Sequence, residues 1–370
     1  MIHTQDLFEA RQNGYWNYRI PCIAVTKNKV VLATTEARPG QGGDYDYIDI
    51  LMRRSIDGGR TFAPAVKTVD HITYGDGPVN NFVLLPDQVT GRVMAVFCHD
   101  YARVFVMRSD DDGANFSEPV EITAVFERFR EAYPWHVCAT GPGHGLQLRS
   151  GRLIIPVWLS DSGGTGQGTH RAHRPSVTTL IYSDDHGDTW QCGSIVCRDG
   201  DEVNGVTVVN PSETIAVELS DGRVMFNIRS ESAIHRRLIA VSPDGVSNWR
   251  LRGFDDALPE PVCMASLLRH EWPEGTQPGC LLFANPNPIN ETGTPCFDRK
   301  RLTLRMSLDE GDTWPISKVI EESFAGYSDL AKLPDGPVLC FYECGCIDHM
   351  NDSRSLRLAR LDEQFIRERL

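Results

Sequence analysis

Four segments of this 370-residue chain repeat one pattern: SIDGGRTF at 55–62, SDDDGANF at 109–116, SDDHGDTW at 183–190 and SLDEGDTW at 307–314. A degraded fifth copy, SPDGVSNW, stands at 242–249. The shared form is Ser-x-Asp-x-Gly-x-(Thr/Asn)-aromatic, and successive copies start 54, 74, 59 and 65 residues apart. Each interval holds four short strands and a variable loop, and self-similarity at that period marks a repeat architecture. The Asp carboxylate can cap backbone N–H groups while Gly takes a positive φ, so each copy reads as a tight turn closed by an aromatic plug. The copies follow strand-like runs such as YIDILMRRS, RVFVMRS, TTLIYS and LTLRMS. A second turn signal recurs in TGRVMAVF, SGRLIIPVW, SDGRVMFNIR and PDGPVLCFYE, each a Gly turn leading into an apolar strand. Helical periodicity is confined to VFERFREAYPW (125–135), which stops at Pro134. The pattern predicts an all-β chain with no linker, forming one domain over residues 1–370.

A formal net charge of −13 and a pI near 5.3 exclude the basic stripe that a nucleic-acid binder needs. Local arginines can still reverse the field inside one cleft. Eleven cysteines, an odd number without CxxC spacing, argue against a zinc ribbon and predict no metal. Most lie in apolar strand-like runs, where a free thiol packs as a small hydrophobe. Reduced thiols, and an N-terminus (MIHTQDLFEARQNGYW) without signal-peptide features, lead to the expectation of a cytoplasmic protein, or a secreted or periplasmic one had a signal been removed. No apolar run approaches a membrane span, so no membrane partner is expected.

The repeats resemble Asp boxes, and motifs outside them resemble the sialidase (neuraminidase) family of bacterial-type exo-α-sialidases along nearly the whole chain. That resemblance implies a six-bladed β-propeller that needs no cofactor. YRIPCIAV (18–25) is similar to the family's Arg-Ile-Pro signature and makes Arg19 the first of three arginines gripping a sugar carboxylate. In TTEARPGQGGDYDYIDILMRRS, the position eleven before the first box is Asp44, resembling the family's acid/base, with Asp46 as competitor. Arg38 matches a position close to substrate in relatives. NNFVLLPDQVTGR puts Asn81 on a substrate-side position, although the usual following proline is Phe82 here. TGPGHGLQLRSGRLIIPVW resembles a bacterial segment in which His144 is either a ligand contact or a loop histidine. NPSETIAVELSDGRVMFNIRS carries Glu213, the implied base, and Arg229, the second arginine, sixteen residues apart; Glu218 is the alternative base. The third arginine falls on Arg299, with Arg301 and Arg305 behind it. GYSDLAKLPDG resembles the segment carrying the nucleophile, Tyr327, and FYECG supplies Glu343, which orients the first arginine in relatives.

The chemistry explains these residue types. A sialic acid bears a carboxylate on its anomeric carbon, so an anionic nucleophile would approach against repulsion, and a neutral tyrosine avoids it. Tyrosine, with a pKa of about 10, needs a base beside it. Guanidinium groups match a carboxylate with paired, charged hydrogen bonds. The expected partner is a sialylated glycan or related acidic sugar, and the expected reaction releases terminal α-linked sialic acid through a tyrosyl intermediate. Glycosidase action on a related 2-keto sugar acid, sugar transfer, and a non-catalytic sugar-binding propeller are the alternatives. Linkage preference and oligomeric state are not encoded in these motifs.

Overall fold

The computed structural model describes residues 2–162, 171–288 and 298–367. It is all-β, arranged as antiparallel meanders. The first meander comprises Asn17–Val25, Val31–Arg38, Asp49–Ser55 and Val66–Val69. The second runs Val79–Pro86, Val93–His99, Arg103–Ser109 and Val120–Glu121. The third centres on Val137–Thr140, Leu153–Ser160 and Ser176–Ser183, and the fourth on Thr214–Glu218, Val224–Ile228, Arg236–Ser242 and Arg250–Pro259. The last two share one seven-stranded sheet, because Ile316–Lys332 pairs with Lys300–Ser307 along its first half and with Val338–Cys346 along its second. The fifth meander therefore holds Ser266–Glu271, Cys280–Pro286, Lys300–Ser307 and the first half of that strand. The sixth is completed by Ser353–Leu361 and by the N-terminal strand Ile2–Glu9, which pairs with it.

Alternation along each middle strand divides its side chains between two interfaces, because successive residues point to opposite faces. In Val93–His99, Val93, Ala95 and Phe97 pack against the first meander, while Met94, Val96 and Cys98 pack against the third. Leu282 and Ala284 likewise join a core shared with the sixth meander, and Leu281 and Phe283 one shared with the fourth. A further core brings Leu339, Phe341 and Leu358 of the sixth meander against Tyr18, Ile23 and Ala33 of the first. Burial on both faces explains why these strands are wholly apolar rather than alternating.

Each repeat motif sits at the end of its meander's third strand. Ser109 Oγ donates to Asp111 Oδ1 (2.8 Å) and accepts from Gly113 N–H (2.8 Å), while Asp111 also accepts from Asn115 N–H (2.9 Å). The degraded copy keeps this scheme one residue tighter, through Ser242, Asp244, Gly245 and Ser247. Gly113 has φ 72°, and a Cβ there would lie 2.9 Å from Leu32 of the first meander, so the turn also docks one sheet on the next. The expected helical segment is a single turn, Thr123–Glu127, followed by a 3-10 turn. Ten cysteines are free thiols, mostly buried; Cys296 lies outside the described residues. Among the described residues no helix is long and apolar enough to cross a membrane.

Asp111 is solvent-exposed, yet its hydrogen bonds from Asn115 and Ser109 hold its pKa down to about 2. Asp111→Ala should cost about 1 kcal/mol, the usual worth of an exposed carboxylate cap. A urea midpoint at neutral pH reads this loss. The cap is fully effective above the unfolded pKa of about 3.9. It is lost as pH falls through the folded value, so wild type and variant should converge between about pH 4 and 2.

Candidate active site

The first strand of each meander, its inner strand, places its candidate residues at irregularities. Register slips between Arg19 and Cys22, where Ile20 takes φ 58° ahead of Pro21. It slips again between Asn80 and Val83, with Asn81 at φ 54°, and between Ala325 and Ser328, which bracket Tyr327. Bulges re-aim side chains that a regular pleat would send into the core. Glu213 and Arg229 need none: the register pairing Thr214 with Ile228 sets them opposite each other, and Arg229 N–H donates to Glu213 O at 3.1 Å. Their sixteen-residue spacing is thus a hairpin register.

Arg19, Arg38, Asp44, Asn81, Glu213, Arg229 and Tyr327 line one cleft of about 240 Å³. Tyr327 Oη donates to Glu213 Oε1 at 2.5 Å and accepts from Arg229 Nη1 at 2.7 Å, and Arg229 also pairs with Glu213 Oε2. The Cζ atoms of Arg19 and Arg299 stand 5.2 and 5.1 Å from the Tyr327 ring centroid. Glu343, fully buried, accepts from Arg19 Nε (3.0 Å), Ile20 N–H (3.3 Å) and Tyr327 N–H (3.1 Å). Arg19 Nη2, Arg229 Nε and Arg299 Nε are buried without a partner among the described residues. Unpaired buried donors are costly.

Burial pushes the Tyr327 pKa far up; Arg229, Arg299 and Arg19 pull against it, while Glu213 adds to the rise. The hydroxyl is therefore protonated at rest, with its proton directed at Glu213. Burial also pushes Asp44 upward, but Arg38, Arg19 and His173 outweigh it and leave its pKa at about 2. Arg38 Nη1 donates to Asp44 at 2.9 Å, and 49% of the Asp44 side chain remains open to the cleft.

The alternatives separate by contact. Asp46 accepts from Gly43 N–H within its own exposed loop and does not line the cleft. Arg301 points to Glu322 at 3.5 Å, and Arg305 is buried on Asn285. Arg299 reaches Tyr327 from beside the cleft, with Nη2 on Val262 O at 2.8 Å. Glu218 belongs to Arg149, far along its strand from Glu213. Of the two readings of His144, its contacts favour the loop histidine. Its Nδ1 lies 2.7 Å from buried Asp329, and it lines a separate depression of about 310 Å³ beside Ala24, Val217 and Leu330, at the opposite ends of the inner strands.

Four cleft residues were given no role by the motifs. Trp158 and His173 form an aromatic wall with Tyr101, and Glu36 sits beneath Arg38. Only the first strand pairing, which sets Glu36 opposite Arg19, could have drawn attention to Glu36.

A family model described as a BNR repeat-like domain matches residues 76–340. A sialidase of Micromonospora viridifaciens is 32% identical over 372 residues, covering 92% of this chain and 52% of that protein. A sialidase of Bacteroides fragilis is 26% identical, covering 90% and 61%. The chain belongs to the sialidase family. It spans little more than half the length of these two relatives. A solved Hadza microbial sialidase superimposes with a TM-score of 0.77 at 24% identity, over 98% of this chain and 69% of that one.

In this sialidase-family site, Gly326 has a steric reason, since a Cβ there would collide with Glu343 Oε2. Gly326→Ala should destabilise the protein by about 1–3 kcal/mol, the usual cost of overpacking, read as a lowered thermal midpoint. Alanine at Gly336, whose Cβ would lie 3.1 Å from Leu333 in a surface turn, should cost less.

Proposed function

We propose that this chain is a retaining exo-α-sialidase, formed as one six-bladed β-propeller domain over residues 1–370. The observation that carries the reading is the Tyr327 hydroxyl held between Glu213 and Arg229 in a cleft that Arg19 and Arg38 also line. Six meanders with cores shared between neighbours, and a further core between the last and the first, support the radial arrangement. So do two depressions at opposite ends of the inner strands.

Arg19, Arg229 and Arg299 receive the sugar's carboxylate, which fixes the anomeric carbon near Tyr327. As the Tyr327 oxygen bonds to that carbon, its proton passes to Glu213. The glycosidic C–O bond breaks, and Asp44 delivers a proton to the leaving oxygen. Water then attacks the tyrosyl-bound sugar, giving a proton to Asp44, and the tyrosine oxygen recovers its proton from Glu213. Two inversions leave the anomeric configuration retained. The arginines stabilise charge building on the tyrosine oxygen. Asp44 is ionised in the free cleft, so substrate must prepare it. An arriving carboxylate offsets the positive field, and the sugar covers the cleft from water; both raise a carboxyl pKa.

Purified protein should release the fluorophore from an aryl α-sialoside, and Tyr327→Phe should lower kcat by about 10³-fold or more, on the scale of losing an activated nucleophile. A folded but inactive wild type that cleaves a deaminated or other 2-keto sugar acid glycoside instead would move the assignment to that substrate; binding without cleavage would make it a lectin-like propeller.

Arg299→Lys should raise KM by roughly tenfold or more, a loss of about 1.4 kcal/mol or greater from one bidentate carboxylate contact. Arg301→Lys should leave KM unchanged. Steady-state kinetics on both variants reads the difference.

A further inference from the structure

Glu36 lies on the second strand of the first meander, directly opposite Arg19, and is 2% exposed. Its two oxygens serve different partners. Oε2 accepts from Arg38 Nη2 at 2.5 Å, and Oε1 accepts from the backbone N–H of Asn81 at 2.9 Å. Asn81 belongs to the neighbouring meander, where its left-handed backbone (φ 54°) is held also by Thr140 Oγ1 on its carbonyl, at 2.7 Å. Arg38, itself almost wholly buried, turns its other terminal nitrogen to Asp44 at 2.9 Å and to Gly42 O at 2.6 Å. One guanidinium thus lies between two carboxylates, one buried and one open to the cleft.

We propose that Glu36 is a positioning residue for the reaction: it divides Arg38 between two carboxylates and anchors Asn81, so that Asp44 can carry a proton to the leaving group. The inference rests on the sialidase reading of this cleft. An unshared Arg38 would hold Asp44 ionised more firmly, because an undivided cation at hydrogen-bond distance favours the charged form of its partner. Glu36 returns negative charge to the same guanidinium without touching substrate. Loss of its link to Asn81 would also free a strained backbone turn, since a non-glycine residue at positive φ persists only where its surroundings hold it.

The charged and titratable groups facing this pair are Arg19, Arg38, Tyr45, Cys98, Tyr101 and His173. Arg19 and Arg38 are cationic throughout the working range. Burial keeps Tyr45, Tyr101 and His173 shifted toward their neutral forms. Cys98 is fully buried with Thr140 and Cys138 around its sulfur. Burial pushes Glu36's own pKa upward, only partly opposed by Arg38 and the Asn81 N–H. Its charge is therefore lost at a higher pH, on acidification, than that of an ordinary glutamate.

The test is the pH profile of kcat for Glu36→Gln and Glu36→Asp on an aryl α-sialoside, a profile that reports groups in the substrate complex. Glu36→Gln should move the descending, basic limb to lower pH. It should lose about tenfold in kcat near neutrality, one decade per pH unit of displacement, and approach wild type at acid pH. Glu36→Asp, which keeps the charge on a shorter arm, should recover most of the neutral rate. A Glu36→Gln profile superimposable on wild type, or one lowered equally at every pH, would overturn the proposal. Should Glu36→Gln fail to fold, as judged by its thermal midpoint, Glu36→Asp decides: a folded Glu36→Asp whose kcat falls equally at every pH, with no recovery of the neutral rate, would also overturn it. An inactive wild type would instead sink the sialidase reading, so the two failures are distinguishable.

Discussion

Glu343 is a fully buried carboxylate, and its three hydrogen bonds reach two sheets. It sits on the sixth meander, and through Arg19 and Ile20 it fixes the first inner strand at the point where that strand bulges. Its other oxygen holds the backbone of Tyr327. Burying a carboxylate costs several kcal/mol unless the charge is paired and its lone pairs are used, and here one guanidinium and two N–H groups supply both. Arg19 depends on the same contact, since its buried Nη2 has no partner among the described residues. The first and last inner strands are thereby joined at the residues that the proposed reaction requires, and Gly326 is the position at which the chain must have no side chain for that joint to close.

How much of this was written in the sequence depends on how local each feature is. The repeat turns were legible because every hydrogen bond in them lies within five residues, from Ser to Asp to Gly to Thr or Asn. The apolar runs after the Gly turns were legible as strands. Glu213 and Arg229 were legible as a pair because their spacing is a hairpin register, and Tyr327, Arg19 and Asp44 because their motifs resemble a family's. Arg299 could not be separated from Arg301 by sequence: they are two residues apart at a register slip, where simple alternation of faces fails. The two readings of His144 could not be separated in the sequence because its partner, Asp329, is 185 residues away. Glu36 was missed for the opposite reason. It lies in a buried strand two residues before a motif arginine, and its proposed function depends on a turn in the neighbouring sheet.

The electrostatics of the cleft carry a tension that bears on the order of events. Burial holds Tyr327 protonated in spite of three nearby arginines, and the positive field that eases its ionisation is the same field that keeps Asp44 ionised. A substrate carboxylate neutralises part of that field. Asp44 thereby becomes easier to protonate and Tyr327 harder to ionise. A free tyrosinate is then the wrong intermediate to look for in the proposed reaction. The hydroxyl proton already lies on a 2.5 Å hydrogen bond to Glu213, so it can move as the bond to carbon forms, when charge leaves the tyrosine oxygen as fast as it arrives. A neutral nucleophile with a touching base suits a substrate that brings its own negative charge, and the arginines serve that charge first and the tyrosine second.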